Sequence, residues 1–548
     1  GRFVVQLPFR KNKHKLGESR SIAEKRLMYL ERKFRSNESF RRSYVGFMRE
    51  YIDLRHMTVA PPMSTMSSHV VYLPHHGVYR DSDKKIRVVF DASCKTKSGV
   101  SLNDTLMVGA ILQDSLIKII LRFRIHPIVI TADLQKMYRQ ILVHDRDRDC
   151  QRVLWRFSPD DTIQEYRLNT VTYGQSCAPF LAIRSVRQLA SENAARYPRA
   201  AQALLQDLYV DDVLTGVNDI AEAKCLIAEM VALLKLGQFE LHKWRSSRAK
   251  ELFDASGEVA EFQTITDERD DDKTLCIRWA PQTDNFHFKS TAMPDARTKR
   301  QLLSSISKLF DPLGLASPLV VKAKSIMQST WQSSLGWDDE LPIDLQKAWL
   351  DYREELTKFC VVRVLRRVVG LASPMRVNLH AFCDASERAY GACAYVQAID
   401  EANRVVSRFL CAKSRVTPVK KLTIPRLELC GAVILVDLIQ LILDSLPITF
   451  HGVYAWSDST IVLAWIAGDA GRQKTFVTNK VTKIQAILSA DHWRHVAGKE
   501  NPADLISRGT DCNNPDTSSL WWSGPPWLSE IAARWQHRPR FPEPSDQE

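Results

Sequence analysis

The chain has 548 residues, a formal net charge of +13 and a pI near 9.2. Its apolar fraction of 45% and charged fraction of 25% exclude wholesale disorder, collagen-like repeats and a coiled-coil rod. At about 150 residues per domain, the length predicts three or four domains. The first 55 residues hold fifteen Lys and Arg against six Asp and Glu, which fits either a solvated face or a polyanionic partner.

In chain order, helical spacing over residues 20–55 is followed by β-branched runs at 70–73 and 86–90. Predicted turns at 75–77 and 81–83 separate these two runs. Asn103 is predicted to cap a helix that carries Leu106, Ile111 and Leu116 on its apolar face and ends before Pro127. The next predicted elements are a strand at 128–133, a hairpin of 153–157 with 166–169, a helix at 179–196, two short strands within 208–214 and a helix at 221–236.

Residues 255–290 are acidic and turn-rich, and they lead into a strand around 275–279. Residues 297–360 are mainly helical and rich in Trp. The last predicted unit runs strand, strand, strand, helix, strand, helix over 377–384, 390–396, 405–411, 426–443, 452–457 and 460–466.

No membrane span is expected, because Asp437, Gln440 and Asp444 interrupt the most apolar helical stretch, residues 431–446. The eleven cysteines form no CxxC pair, which argues against a zinc site and favours reduced thiols in a cytoplasmic protein. The chain begins at Gly1 and ends in a Pro-rich tail, which suggests a fragment of a longer protein.

A first group of acids combines Asp133, at the end of a predicted strand, with Asp211 and Asp212, about 80 residues later in a turn. Two-metal phosphoryl transfer needs hard oxygen ligands of this kind. An exposed Asp-Asp turn is common, but apolar residues flank this pair on both sides. The pattern therefore favours the catalytic interpretation.

A second group of acids comes from four separate elements of the last predicted unit. Asp384 and Asp458 end strands, Glu428 lies in the first turns of a helix and Asp504 opens a short helix. Each acid alone fits a helix cap or a surface charge. Together they suit a second two-metal site, which would activate water against a phosphodiester.

The first group resembles the active site of reverse transcriptases. Residues 209–212 look like the YxDD box, 132–141 the first palm motif, 85–93 a fingers-type strand and 172–180 a further motif, all in the family's order. The resemblance implies Asp133, Asp211 and Asp212 as metal ligands. It also implies roles in substrate binding for four residues: Tyr209 in the box, Arg87 at the triphosphate, Tyr138 as the gate against a ribose 2′-OH, and Gly174 where template or nucleotide approaches the backbone. The alternatives are an Arg87 paired with Asp91 and a core Tyr138.

The second group resembles ribonuclease H, because Asp384 opens Asp-Ala-Ser and Asp458 lies in Ser-Asp-Ser. The resemblance implies Asp384, Glu428, Asp458 and Asp504 as metal ligands. His495, nine residues before Asp504, stands where that family keeps a mobile His that assists turnover. A surface His at a strand end is the alternative.

Further segments resemble polyproteins of BEL/Pao long-terminal-repeat retrotransposons, over nearly the whole chain: 72–78, 101–104, 121–124, 309–315, 337–342 and 501–509. The resemblance implies an α+β multidomain protein, with a right-hand polymerase of fingers, palm and thumb, a connection and an α/β ribonuclease H-like domain. The implied boundaries are a basic arm at 1–60, fingers and palm with the start of the thumb at 61–250, thumb and connection at 251–375, ribonuclease H at 376–510 and a tail at 511–548. Departures from the pattern are Ala110, Tyr173 and Gln238.

The resemblance implies an RNA-directed DNA polymerase with a fused ribonuclease H. Its partners would be an RNA template, a DNA primer, the RNA–DNA hybrid and deoxynucleoside triphosphates, with two Mg²⁺ per active site and Mn²⁺ as a substitute, in a cytoplasmic virus-like particle. The oligomeric state stays open. The alternatives are a decayed or domesticated nucleic-acid-binding relic and an aspartic peptidase. Residues 251–375 carry a peptidase label in this family, but a peptidase of that kind needs two Asp-Thr/Ser-Gly loops. The sequence contains no such tripeptide, and residues 254–257 come nearest.

Overall fold

The computed structural model describes most of the chain, in the ranges 1–61, 70–79, 86–253, 273–274, 277–287, 294–308, 310–359, 362–509 and 515–530. Several predicted features lie outside these ranges: the turn at 81–83, Lys85, residues 254–257, the acidic run 267–272 and most of the Pro-rich tail. The chain forms two compact units. The first comprises Gly1–Asp114, Thr131–Val213 and Lys224–Trp244, and the second comprises Ser115–Ile130, Leu214–Ala223 and Arg245–Glu548.

The basic N-terminal region forms two helices of the first unit, Arg20–Ser36 and Glu38–Asp53. The helical spacing predicted over 20–55 is therefore confirmed, with a break at Asn37. The Asn37 side chain accepts a hydrogen bond from the Phe40 N–H at 2.9 Å and caps the second helix. The inward faces of both helices pack Phe34 and Tyr44 against Trp155, and Phe40 contacts both of these rings.

Short strands continue the first unit. Ile86–Phe90 pairs antiparallel with His75–Tyr79, so the turn predicted at 75–77 is wrong. His75 is buried and hydrogen-bonded to the Tyr44 hydroxyl and the Leu154 carbonyl, which holds this segment extended. The hairpin predicted for 153–157 with 166–169 is confirmed. It belongs to a three-stranded sheet of Met57–Val59, Gln164–Leu168 and Arg152–Trp155.

The helix predicted after Asn103 is also wrong. Ser101 caps a short helix, Leu102–Thr105, through a capping box with Asp104, and a second helix forms only at Leu116–Phe123. The intervening loop turns at Gly109, which has a φ of +86°, and leaves the Ile111 side chain 91% exposed. The apolar spacing across this loop therefore does not reflect one buried helical face.

A four-stranded sheet carries the first group of acids. Its strand order is Leu241–Ser246, Ile128–Leu134, Asp212–Val217 and Leu208–Tyr209. The strand predicted at 128–133 and the two short strands predicted within 208–214 are confirmed. The helices predicted from 179 and over 221–236 are confirmed as well. The helices of this part of the chain are Ala178–Glu192, Pro198–Gln206 and Ile220–Leu236.

The second unit contains a small antiparallel sheet and a helical layer. The sheet order is Lys273–Thr274, Ile277–Ala280, Asn285–His287 and Arg363–Leu365. Three helices, Lys299–Ile306, Ser317–Gln332 and Ile343–Phe359, confirm the helical region predicted over 297–360 and share a core around the fully buried Trp349. Trp331 and Trp337 remain about half exposed.

A five-stranded sheet carries the second group of acids. Its order is Val405–Val416, Ala389–Ile399, Arg376–Ala385, Gly452–Ser457 and Trp493–His495. The first three strands are antiparallel, and the last two run parallel to Arg376–Ala385. The predicted order of strands and helices from 377 onward is confirmed by the following helices: Ile424–Ser445, Thr460–Ala467, Thr475–Ile487 and Asp504–Arg508.

The long helix Ile424–Ser445 packs directly on the strand that carries Asp384. A Cβ added at Gly431 would lie 3.1 Å from the Asp384 carbonyl oxygen, so glycine permits this close approach. Among the residues that the structure describes, no helix has both the length and the apolar character needed to cross a bilayer.

Candidate active sites

The first acid group is assembled by two neighbouring strands. Asp133 is the penultimate residue of Ile128–Leu134, and Asp211 lies in the turn before Asp212–Val217. The Leu134 N–H donates to the Asp211 carbonyl at 2.7 Å, which fixes the two segments side by side. Asp212 opens its strand opposite Tyr209 in the hairpin register. The structure thus brings Asp133, Asp211 and Asp212 to one end of the sheet.

The turn of this site has an unusual backbone. Val210 has a φ of +57°, a conformation that β-branched residues rarely adopt. The Val210 N–H donates to the Gln113 side-chain oxygen at 2.9 Å, and this hydrogen bond supports the turn. Gln113 was not predicted as a site residue, because its partner lies 97 residues away in the sequence. The strained turn places Asp211 at the tip of the hairpin.

The charges of the first group interact. Burial raises the pKa of Asp211, and the negative charge of Asp133 raises it further. The Lys243 ammonium lies 3.4 Å from Asp133 Oδ2 and lowers the Asp211 pKa. Lys243 also has a left-handed backbone, with a φ of +53°. Lys243 was not predicted as a site residue, since nothing in its own segment distinguishes it from a solvated lysine.

Two of the predicted substrate-binding residues, Arg87 and Tyr138, contact the same ring, that of Tyr173. The exposed Arg87 guanidinium lies 4.2 Å from the centroid of the Tyr173 ring. Tyr173 in turn meets Tyr138 edge-on at 4.7 Å. Tyr138 is only 7% exposed, and burial raises its pKa to about 12. Arg87 therefore contacts an aromatic face, and Tyr138 is largely buried beside the acids; their substrate roles stay predictions.

Gly174 is required by the protein's own backbone. It has a φ of +101°, and a Cβ there would lie 2.2 Å from the Phe90 carbonyl oxygen. Asn103 holds this turn on both sides, because its Nδ2 donates to the Gly174 carbonyl and its Oδ1 accepts from the Ser176 N–H, each at 2.8 Å. The expectation that a template or nucleotide approaches Gly174 stays a prediction.

The second acid group lies within the second unit. Asp384 is near the end of Arg376–Ala385, and Asp458 directly follows Gly452–Ser457, the strand beside it. Glu428 is in the first turns of the long helix, and Asp504 opens Asp504–Arg508. Burial raises the pKa of Asp384 to about 7, with further increases from Asp458 and Asp504. The four carboxylates are therefore close enough to repel one another.

Neutral hydroxyls and one arginine orient these acids. The Ser459 hydroxyl donates to Glu428 Oε2 at 2.6 Å, and the Ser507 hydroxyl donates to Asp384 Oδ2. The Arg508 guanidinium pairs with Asp504 one helical turn away. Ser459 adjoins the predicted Asp458, but Ser507 is 123 residues from its partner and was not predicted.

His495 ends the strand Trp493–His495 and lies opposite Ser457 in the parallel register. Its charge lowers the pKa of Asp458, so its ring is near that carboxylate. Gly498 leaves room at the same place, because a Cβ there would lie 3.3 Å from Asp458 Oδ2. The structure thus places His495 beside the acids, and its part in turnover stays a prediction.

The donor set of the second group fits a divalent metal by its chemistry. In the described part of the chain, no three His, Cys, Asp or Glu side chains are arranged as a complete metal site. However, Asp458 Oδ1 is buried and makes no hydrogen bond to the residues described, and burial raises the pKa values of Asp384, Glu428 and Asp458 alike. A hard cation would satisfy the unpaired oxygen and offset the repulsion.

The first group fits such a cation less completely. Asp211 has a raised pKa, but Asp133 already faces the Lys243 ammonium. A divalent metal at Asp133 would meet this positive charge, so Lys243 would have to move or share the carboxylate. The hard oxygen ligands are nevertheless the kind that Mg²⁺ prefers.

Comparison with known proteins finds a family model that matches part of the chain. Residues 298–459 match the model of the Pao retrotransposon-like RNaseH-like domain, a range that contains Asp384, Glu428 and Asp458. None of the curated protein sequences matches this chain. The resemblance to Pao-type retrotransposon polyproteins that the sequence motifs indicated is thereby confirmed.

Solved structures share the fold. The foamy viral protease-reverse transcriptase in complex with dsDNA is 13% identical, with a TM-score of 0.52 over 84% of this chain and 83% of that chain. In complex with an RNA/DNA hybrid, the foamy viral protein has a TM-score of 0.51 and 13% identity over 82% of this chain and 52% of that one. The predicted α+β multidomain fold is confirmed. The chain thus has a fold similar to that of a reverse transcriptase, and its residues 298–459 match the Pao retrotransposon-like RNaseH-like domain.

Proposed function

We propose that this chain is an RNA-directed DNA polymerase with a fused ribonuclease H. The observation that carries the proposal is the presence of two separate carboxylate groups, each at the end of its own sheet, in one reverse transcriptase fold. The similar foamy viral structures are complexes with dsDNA and with an RNA/DNA hybrid. This similarity supports nucleic acids as partners of the present chain. We assign the palm to the sheet with Asp133 and the ribonuclease H-like domain to the sheet with Asp384.

In the polymerase site, Asp133, Asp211 and Asp212 would hold Mg²⁺. When bound, Mg²⁺ supplies charge neutralisation at the phosphate and activates the attacking 3′-hydroxyl. Arg87 projects from its strand as an exposed cation suited to the triphosphate. Tyr138 packs edge-on against Tyr173, which holds its ring in place, and in the proposed site this ring would lie below the sugar. A rigid ring at this place would exclude a 2′-hydroxyl and select deoxynucleotides.

In the ribonuclease H site, Asp384, Glu428, Asp458 and Asp504 would hold the divalent cations. Ser507 and Ser459 fix the carboxylates of Asp384 and Glu428 through hydrogen bonds. We assign a part in the release of the cleaved RNA to His495, which lies near Asp458. Both sites must accept any sequence, so we expect recognition through backbone, groove shape and 2′-hydroxyl groups.

The cellular setting follows from the same resemblance. We place the protein in a cytoplasmic virus-like particle, where an RNA template and a DNA primer would be packaged together. The competing hypothesis is a relic that binds nucleic acid without turnover. The presence of every proposed ligand, Asp133, Asp211 and Asp212 in the palm and the four acids of the second group, favours the enzyme.

Primer extension on an RNA template tests the polymerase. The purified chain is incubated with a labelled DNA primer, deoxynucleotides and Mg²⁺, beside Asp211→Asn. We expect extension by the unmodified chain and a loss of roughly 10³-fold in the variant. Asp207→Asn, a nearby acid in another position, is the matched control. If the unmodified chain binds the hybrid but extends no primer, the relic hypothesis is correct.

A further inference from the structure

One face of the helix Arg20–Ser36 carries an unusual concentration of positive charge, and we call it the basic face. It consists of Lys25, Arg26, Tyr29, Arg32 and Lys33, all of which are exposed. At about 100° per residue, the four cations lie within about 60° of Tyr29 on the helical wheel and span about 12 Å along the axis. Tyr29 itself is 66% exposed and lies at the centre of this face.

The acids of this helix point elsewhere. Glu31 accepts from the Arg156 guanidinium at 2.7 and 2.8 Å, on the side that packs against the first unit. Glu24 pairs with Arg20 at 3.2 Å, also away from Tyr29. The carboxylates of the helix are therefore engaged in contacts that orient it, and its outward charge is positive. This arrangement gives a structural basis for part of the basic excess in the first 55 residues.

The start of the helix is fastened to segments before and after the strand with Arg87. The Ser19 hydroxyl accepts from the Tyr72 N–H at 2.9 Å, and Glu18 forms an ion pair with Lys97 at 2.8 Å. Arg26 is close enough to Cys94 for its charge to lower the pKa of that thiol against the larger effect of burial. The basic face therefore borders the segment that, through Asn103, also holds the turn at Gly174.

We propose that the basic face binds the unpaired template strand, with phosphates on the four cations and a base stacked on Tyr29. Lys and Arg side chains bind a polyanion through counterion release, whatever its sequence. An exposed aromatic ring among cations is the combination that binds single strands, because only unpaired bases offer a free face for stacking. In a duplex the bases are already stacked, so Tyr29 would have no partner. The identity of the strand as template rests on the proposed polymerase function.

Binding by the full chain tests this surface. The affinity for a DNA primer on a template with a long single-stranded RNA overhang is compared with the affinity for a blunt hybrid, by fluorescence anisotropy over a range of salt concentrations. The variant Lys25→Gln with Lys33→Gln removes two cations of the basic face. Its matched control is Lys224→Gln with Lys235→Gln, which removes two exposed lysines from the helix Ile220–Leu236.

For the Lys25/Lys33 variant, we expect weaker overhang binding. The slope of log affinity against log salt concentration should be smaller in magnitude by about 1.4, since each phosphate contact on a single strand contributes about 0.7 to that slope. Tyr29→Ala should weaken overhang binding by at least about fivefold at constant net charge. Blunt-hybrid affinity should not change in either variant. An equal loss with the Lys224/Lys235 control, an equal loss on the blunt hybrid or an unchanged overhang affinity would each overturn the proposal.

The test separates this surface from the proposed function. Extension of a primer on a template with a very short overhang is measured with the same variants and should match that of the unmodified chain. If the unmodified chain fails to extend any primer, the polymerase function fails. The overhang-binding results would still decide whether the basic face binds single strands.

Discussion

The two acid groups differ in the side chains that surround their carboxylates. In the palm-like site, a lysine ammonium lies 3.4 Å from Asp133, and a left-handed turn at Val210 holds Asp211. In the ribonuclease H-like site, neutral serine hydroxyls hold Asp384 and Glu428, and Asp458 keeps a buried oxygen without a hydrogen bond in the described structure. In the first site Lys243 faces Asp133, whereas in the second Arg508 pairs with Asp504 and serine hydroxyls hold two of the other acids.

Each region also buries a neutral histidine, which provides an independent way to follow its stability. Burial lowers the pKa of His75, in the first unit, to about 4 and that of His380, in the second unit, to about 3. Substituting one of these histidines therefore changes the pH dependence of the stability of one unit, without altering either group of carboxylates.

The largest expected effect concerns His75. Its Nε2 meets the Leu154 carbonyl at 3.0 Å, so this nitrogen carries the proton and Nδ1 accepts from the Tyr44 hydroxyl. The pKa of His75 in the folded chain lies below the unfolded value of 6.5. Its contribution to the free energy of unfolding is therefore complete above pH 6.5 and is lost as the pH falls toward 4. We expect His75 alone to account for a loss of about 2 kcal/mol in the free energy of unfolding between pH 7.5 and 5, measured by urea denaturation as the difference between the unmodified chain and a variant without this histidine.

The variant His75→Gln isolates this contribution. Glutamine does not titrate, so the variant should lose less stability over the same pH range than the unmodified chain. The exposed neighbour provides the control, and His76→Gln should keep the original pH dependence. An unchanged pH dependence in His75→Gln would show that His75 does not remain neutral in the folded first unit.

The next effect concerns the hydroxyls that hold the second acid group. Ser507→Ala and Ser459→Ala should each reduce hybrid-RNA cleavage by about 10- to 100-fold, because residues that orient metal ligands typically contribute that much. The Mg²⁺ concentration for half-maximal cleavage should rise in both variants, which a merely structural effect would not cause. Ser507→Thr retains a hydroxyl and should recover most of the activity. Cleavage at the original rate in Ser507→Ala would show that the Ser507 hydroxyl does not position Asp384.

The smallest effect concerns Lys243. If its ammonium competes with Mg²⁺ for Asp133, Lys243→Gln should lower the Mg²⁺ concentration for half-maximal primer extension by about two- to fivefold, the range expected for an exposed ion pair. Hybrid-RNA cleavage should not change. Lys235→Gln, on a helix of the same unit, is the control. A higher Mg²⁺ requirement in Lys243→Gln would show that the lysine assists the site and does not compete with the cation.

Local sequence patterns predicted most of the fold. The apolar run 128–133 and the spacing of 221–236 gave a strand and a helix close to their observed bounds, because burial imposes those patterns directly. The predictions at 75–77 and after Asn103 were wrong for opposite reasons. His75 looked like part of a turn but is held extended by tertiary hydrogen bonds, and residues 106–116 looked helical but form a loop around Gly109.

The candidate sites were only partly predictable. The acids stand in recognisable motifs, so each proposed ligand could be named and the structure brings both groups together. The supporting residues come from distant positions: Gln113 is 97 residues from Val210, Lys243 is 110 from Asp133 and Ser507 is 123 from Asp384. Nothing in their own neighbourhoods indicates such partners, so only the folded chain identifies them.

We propose that one chain contains two independent phosphoryl-transfer sites. The most direct test measures primer extension on RNA and cleavage of the RNA strand of a hybrid on the same preparations of the unmodified chain, Asp211→Asn and Asp458→Asn. We predict that Asp211→Asn loses extension and keeps cleavage, and that Asp458→Asn loses cleavage and keeps extension. Loss of both activities in either variant, or of neither in both, would contradict the claim.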